Sequence, residues 1–211
     1  MEQHNLIRKS VPRETFSQID RLFEKYEHEL ERYLDKLLWW NQRLNLVSRG
    51  VPRETIREHI RHSLLFSELE TFQKNNLFLD TGTGGGLPGI PLAIIHPEKH
   101  FLLNDLVTKK CLAIKQIARD LDLKNIGIID GSIENLQHEE ECILISKHAF
   151  KIKDLIDMSG HLSWKKMVLY KGMDFEDELQ DFSTPLHITC YDLSTGSDFY
   201  KGKAIIIIEK P

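Results

Sequence analysis

The sequence predicts an α/β fold: a mostly parallel sheet of seven strands, preceded by a helical extension. Three features carry that expectation. From Leu77 onward short apolar runs alternate with helical stretches, the pattern of a sheet with helices packed on it. Ahead of them Phe16, Ile19, Leu22, Phe23, Tyr26, Leu30, Tyr33, Leu34, Leu37, Leu38 and Leu44 recur at spacings of three and four, one stripe of an amphipathic helix. Between these regions five glycines fall in the eight residues Gly82 to Gly89, where a strand should turn into a helix.

Taken in order, the leucine stripe breaks at Ser48-Arg49-Gly50-Val51, and Pro52 opens a second helix marked by Ile56, Ile60, Leu64 and Leu65 and ending near Phe72. Strands are expected at Leu77–Leu79, Phe101–Leu103, Ile126–Ile129, Cys142–Ile145, Met167–Tyr170, His187–Leu193 and Ala204–Glu209. Helices are expected at Pro88–Ile95, Thr108–Leu121 and Ile152–Met158. The last two strands have only the turn-rich stretch 194–200 between them, so they read as an antiparallel hairpin closing five parallel strands. By fold analogy this is the seven-stranded, Rossmann-like sheet of class I S-adenosylmethionine-dependent methyltransferases. The organisation expected is a helical N-terminal extension over 1–75 and a methyltransferase domain over 76–211, joined as one continuous unit.

With 211 residues, 41% hydrophobic and 28% charged, the chain has the composition of a globular protein, which excludes collagen, disorder and a disulfide scaffold. No apolar run approaches the roughly 20 residues that span a bilayer, and the first nine residues lack the apolar core of a signal peptide, so a cytoplasmic protein without a membrane role is expected. Cys111, Cys142 and Cys190 are widely spaced and read as core residues. His59 and His62 stand one helical turn apart with no third ligand, so no metal is expected. The net charge of −4 conceals two basic stretches: five arginines against two glutamates over 39–66, and six lysines against two aspartates over 147–171. These are either solvated faces or an anion-binding surface.

The glycine loop satisfies two fingerprints, Gly84-x-Gly86-x-x-Gly89 for a dinucleotide and Gly82-x-Gly84-x-Gly86 for a methyl donor. Spacing does not choose between them. Chemistry does, because a pyrophosphate needs free N–H groups at the helix start and Pro88 and Pro91 remove two. Asp80, at the strand end, would repel a pyrophosphate and attract a sulfonium or ammonium. Asp105 ends the next strand, 19 residues after Gly86, where an acid accepts from ribose hydroxyls. In Asp130-Gly131-Ser132-Ile133-Glu134, after the third strand, Ile133 is placed to pack on an adenine.

Trp40-Asn41-x-x-x-Asn45-Leu46-Val47-Ser48, His59-x-x-x-Ser63, Asp80 to Ile94, Leu103-x-Asp105-x-x-x-Lys109-Lys110 and Tyr170-Lys171-Gly172 together resemble the bacterial small-subunit ribosomal RNA methyltransferase G family, also called glucose-inhibited division protein B. The resemblance spans roughly residues 33 to 210. It implies methyl transfer from S-adenosyl-L-methionine to N7 of a guanine in the decoding-region loop of 16S rRNA, as free RNA or in an assembling small subunit. It implies a donor site at Gly82, Leu87, Asp105, Ile133, Glu134 and the basic residue after Ser146. Where the family has Ser-Arg-Ala, this chain has Ser146-Lys147-His148, which keeps the charge and loses the planar guanidinium fork.

With the readings above, the candidate donor set is Asp80, Gly82, Gly84, Gly86, Leu87, Asp105, Ser132, Ile133, Glu134 and Lys147. Arg49, Arg53, Arg57 and Arg61 recur every four residues as one helical face and, with Lys171, are the candidate RNA contacts. Trp39 and Trp40, at the end of the leucine stripe, read as core residues, with stacking of one of them on an RNA base as the alternative. No residue is expected to act as an acid or base, since guanine N7 attacks with a free lone pair. Methyl transfer to another RNA, a protein or a small molecule, and RNA binding without activity, remain the alternatives.

Overall fold

A computed structural model describes residues 4–180 and 184–210, so the ends of both expected units lie outside the described residues. The helices and strands are β1 (Asn5–Ser10), α1 (Arg13–Lys25), α2 (Glu27–Asn41), α3 (Arg53–Leu64), α4 (Glu70–Gln73), β2 (Leu77–Thr81), α5 (Gly89–Ile95), β3 (His100–Asp105), α6 (Thr108–Asp120), β4 (Ile126–Asp130), β5 (Cys142–Lys147), α7 (Ile152–Ser159), β6 (Trp164–Gly172), β7 (His187–Asp192) and β8 (Lys203–Glu209). The strands form one sheet in the order β1-β7-β8-β6-β5-β2-β3-β4.

All seven expected strands are present and an eighth joins them. β1 pairs in parallel with β7, from Asn5 beside His187 to Ser10 beside Asp192. Its residues are mostly exposed, so backbone pairing at the sheet edge holds it and no alternation of burial announces it. The extension is therefore not wholly helical: it opens with a strand of the sheet. The hairpin is antiparallel as expected, but β8 inserts between β6 and β7 and alone runs against the rest, which returns β7 to the common direction. The leucine stripe is two helices, broken at Tyr26, where φ −111° and ψ 23° leave the helical region. The spacing survives the break because both helices pack into the same core.

Alternation along the strands divides the interior in two. Phe78, Ile143, Ile145, Val168, Ile205 and Ile207 belong to the core beneath α1, α2, α3, α5 and α6. Leu79, Leu144, Leu169, Ile206 and Ile208 belong to the core shared with α7 and the short helix Phe175–Leu179. The helical N-terminal region thus covers one face, and α2 and α3 reach the ends of β2 and β5.

Candidate methyl-donor site

The site lies where β2, β3 and β5 end side by side. Asp80 on β2 is wholly buried, and its Oδ2 accepts from Thr83 Oγ1 at 2.7 Å and from the Gly89 N–H at 2.9 Å. The N–H that a pyrophosphate would need at the start of α5 is thus already taken, in keeping with the choice against a dinucleotide. Burial raises the Asp80 pKa to about 7, against the two hydrogen bonds that lower it. Its Oδ1 has no partner. Asp80 therefore braces the loop from inside through one oxygen.

Gly82 and Gly84 turn the chain with φ of 66° and 57°. A methyl group on Gly82 would stand 2.6 Å from the Ala149 Cβ, and one on Gly84 would stand 3.0 Å from the Leu46 carbonyl oxygen. Gly86 closes the turn by donating to the Thr83 carbonyl at 2.8 Å, and Leu87 lines the cavity beside it. Asp105, almost fully buried, accepts from the Gly84 N–H at 3.0 Å through Oδ2 and from the Val107 N–H at 2.9 Å through Oδ1. Lys110 Nζ stands 3.7 Å from Oδ2, and each oxygen has acceptor capacity beyond its backbone partner. Ser132 caps the turn Ile133–Asn135, with the Glu134 N–H donating to its Oγ at 3.3 Å, and Ile133 is buried. Gly131 donates to the Asp105 carbonyl at 3.1 Å, which fixes this turn beside β3.

Lys147, at the end of β5, turns inward and donates to the His59 carbonyl at 2.8 Å and Ser63 Oγ at 3.2 Å. Enclosure lowers its pKa to about 7, against the pull of Asp80. A cavity of about 210 Å³ opens here, lined by Leu46, Val47, Ser48, His59, Gly82–Gly85, Leu87, Lys147 and His148. Of the candidate donor residues, Gly82, Gly84, Leu87 and Lys147 thus share one cavity, with Asp105 tied to it through Gly84, while Asp80, Gly86, Ser132, Ile133 and Glu134 do not line it.

The candidate RNA residues fare differently. Arg49 lies in the turn before α3, not on its face, and its Nε donates to Asn45 Oδ1 at 2.6 Å. On α3, Arg53 pairs with Glu31 and with Asp35 at 2.6 Å, Arg57 with Glu31 at 2.5 Å and Glu54 at 2.9 Å, and Arg61 with Glu58 at 3.0 Å and Asp20 at 3.3 Å. Acids of α1 and α2 supply most of these partners, and spacing along one helix does not reveal them. Lys171 is buried, its ammonium 2.6 Å from Glu178 and 2.7 Å from the Phe150 carbonyl, so it ties β6 to the short helix Phe175–Leu179 and offers nothing to a phosphate. Trp39, read as a core residue, is 50% exposed beneath the Arg43 guanidinium, 3.5 Å above its ring, while Trp40 is half-buried against the core. Among the described residues no group of three or more His, Cys, Asp or Glu is arranged to hold a metal, and no helix is long and apolar enough to cross a membrane.

Sequence reasoning missed three supports. Asn41 Oδ1 accepts from the N–H groups of Leu46 and Val47 at 2.9 and 3.0 Å, folding the segment after α2 over the glycine loop. Tyr33 donates to the Gly85 carbonyl at 2.9 Å. Asn104 accepts from Thr81 at 2.8 Å and donates to the Gly131 carbonyl at 2.9 Å, joining the end of β2 to the turn after β4. The Trp40-Asn41 motif signalled the first of these; Tyr33 and Asn104 sat inside apolar patterns that gave no polar cue.

The family described as rRNA small subunit methyltransferase G, GidB, matches residues 26–195. The chain belongs to this family. Curated relatives named "Ribosomal RNA small subunit methyltransferase G" include one from Flavobacterium psychrophilum, 34% identical over 79% of this chain and 83% of the relative. Others come from Christiangramia forsetii, 34% identical over 96% and 95%, and Vibrio campbellii, 37% identical over 74% of both. The fold is also that of solved methyltransferases of low identity. A putative O-methyltransferase from Nostoc punctiforme has a TM-score of 0.56 at 13% identity, covering 75% of this chain and 59% of that one. Magnesium protoporphyrin IX methyltransferase from Synechocystis, solved with bound SAH, has 0.54 at 12%, covering 82% and 94%. Family membership makes the chain a methyltransferase with S-adenosylmethionine as its donor, and the site offers chemistry that fits one: a buried carboxylate at the end of β3 and an unpartnered Asp80 oxygen behind the glycine loop.

Proposed function

We propose that this chain methylates N7 of a guanine in the decoding-region loop of 16S rRNA, acting in the cytoplasm on the RNA or on the assembling small subunit. S-adenosylmethionine supplies the electrophilic methyl. The observation that carries the reading is the shared cavity of Gly82–Gly85, Lys147 and His148, in a chain whose relatives are named for this RNA. Guanine N7 has a free lone pair and loses no proton on attack, so a site without a general base suffices. Asp105 fixes the ribose end of the donor, and the glycine loop sets the reacting end at the cavity. Proximity of this kind is worth effective molarities of about 10⁵ to 10⁸ M when the nucleophile is held in line. Lys147, tethered to His59 and Ser63, keeps α3 against the end of β5 and so maintains the cavity wall.

Mass analysis of 16S rRNA from a strain lacking this chain tests the assignment. The expected result is loss of one methyl from a single guanine of the decoding region, restored by the wild-type gene. An unchanged rRNA mass map would point to a protein or small-molecule acceptor instead.

A further inference from the structure

Two imidazoles, His59 and His148, line this cavity and a third, His62, lies buried behind them, 6.2 Å from the His148 ring. His62 is fully buried, edge-on to Tyr170 at 5.0 Å and Tyr200 at 5.8 Å, and neither of its nitrogens has a partner. His59 holds Lys147 through its carbonyl and sets its ring edge-on to Phe199 at 5.2 Å. His148 stands at the rim, exposed, its ring making no hydrogen bond among the described residues. Its φ of 57° is a left-handed conformation that few residues other than glycine adopt. The conformation falls between Lys147, which turns inward, and Ala149, which packs on Gly82. His148 therefore faces the same cavity as the glycine loop, on the segment that closes over it.

An acceptor base must bring its nucleophile into this cavity while keeping that lone pair free. On guanine the neighbour of N7 is O6, an acceptor, so recognition along this edge calls for a donor beside the nucleophile. Lys147 already donates to His59 and Ser63, and Thr83 to Asp80. The His148 ring is uncommitted. Partial desolvation at the cavity rim and the Lys147 ammonium lower its pKa, so it is uncharged near neutral pH. An uncharged imidazole offers one N–H without setting another cation beside a sulfonium or beside the N7-methylated product.

We propose that His148 is a positioning residue that donates its ring N–H to O6 of the acceptor guanine and so aligns N7 with the donor methyl, an inference that rests on the methyltransferase reading above. In the step it serves, the N7 lone pair forms the new N–C bond while the methyl–sulfur bond breaks and its electron pair returns to sulfur. No proton moves.

The test is single-turnover methylation of 16S RNA carrying either guanine or 2-aminopurine at the methylated position. 2-Aminopurine keeps N7 and lacks O6. The wild type is expected to prefer guanine by about tenfold or more, the scale of one lost hydrogen bond at a reacting base. His148→Ala should slow methylation of guanine by that factor and leave 2-aminopurine within about twofold, collapsing the preference as an interaction cycle requires. His148→Asn, which retains a donor, should recover part of the preference, with donor affinity by calorimetry unchanged in both variants. A preference that survives in His148→Ala, or equal loss on both bases, overturns the proposal while the methyltransferase reading stands. A wild-type protein that neither binds the donor nor methylates either RNA removes both.

Discussion

Lys147 and Arg57 lie on adjacent parts of the fold, and both were expected to meet a ligand, Lys147 the methyl donor and Arg57 the RNA, yet their surroundings are opposite. Lys147 points into the cavity behind the glycine loop, where enclosure lowers its pKa to about 7. Arg57 lies on the outer face of α3, where hydrogen bonds to Glu31 and Glu54 raise its pKa. The difference is what each charge can still do. A surface cation already shared between two carboxylates has little left for a phosphate, and such pairs are worth only about 0–1 kcal/mol to the fold. With a pKa of about 7, Lys147 is charged in only part of the molecules at neutral pH, and in that form it acts strongly on whatever enters beside it. The cavity is therefore where charge bears on function, and the outer face of α3 is where it is neutralised.

The sharpest way to break the cavity side of this contrast is Gly82→Ala. It adds a side chain at φ 66° and a methyl group 2.6 Å from Ala149. The left-handed backbone and the overpacking together should cost about 2–4 kcal/mol of stability, read by chemical denaturation, and donor affinity should fall more than tenfold. Donor binding within twofold of wild type would mean that the loop is not the donor seat. Asp105→Ala comes next. It removes a ribose partner and also frees the Gly84 and Val107 N–H groups, so donor binding measured by calorimetry should weaken by about 1.5–3 kcal/mol.

The imidazoles give the cavity a pH signature that the surface lacks. Burial first, then Lys147, lowers His62 well below its ordinary value, and the pKa of His59 falls to about 3. Below pH 6.5 the unfolded chain protonates these imidazoles and the folded chain does not, so each lowers stability by up to about 1.4 kcal/mol per pH unit as pH drops from about 6.5 toward 4, while Asp80, with its pKa raised to about 7, acts in the opposite sense over the same range. His62→Phe, which fills the same aromatic pocket, should flatten that slope by one proton in a denaturant series. An unaltered slope would place the titration elsewhere. Lys147→Ala should lower the single-turnover rate at least tenfold, about 1.4 kcal/mol, while Lys147→Arg, which restores the family's residue, should retain it. Equal rates for all three proteins would remove position 147 from the site.

The smallest effect belongs to the arginines. Neutralising Arg53 and Arg57 together should leave the slope of log RNA affinity against log salt unchanged. A drop of one to two units, at roughly 0.7–0.9 per released contact, would show that they exchange their carboxylates for phosphates and would erase the contrast.

Much of the donor site was legible because its chemistry is local. Glycine spacing, Pro88 and the strand-end acids Asp80 and Asp105 follow one another along the chain, and each expectation rests on a few neighbouring residues. What escaped was non-local. The partners of Arg53, Arg57 and Arg61 come from α1 and α2 as well as α3, and β1 owes its place to backbone pairing with a strand some 180 residues away rather than to its side chains. Asp80 was recognised as an acid at the right place, but its burial, and hence its work inside the loop, depends on the packing of α5 above it. The Asn41 motif was visible, while its function of folding residues 42–47 over Gly84 needed the third dimension.

The most direct measurement is strand cleavage. Purified protein, S-adenosylmethionine and 16S rRNA are incubated together, and the RNA is then treated with borohydride and aniline, which cut the chain at 7-methylguanosine. Cleavage at one guanine of the decoding-region loop, dependent on both protein and donor, is the result predicted. Methyl incorporation into RNA that resists the treatment would contradict N7 as the acceptor and assign the cavity to a different nucleophile.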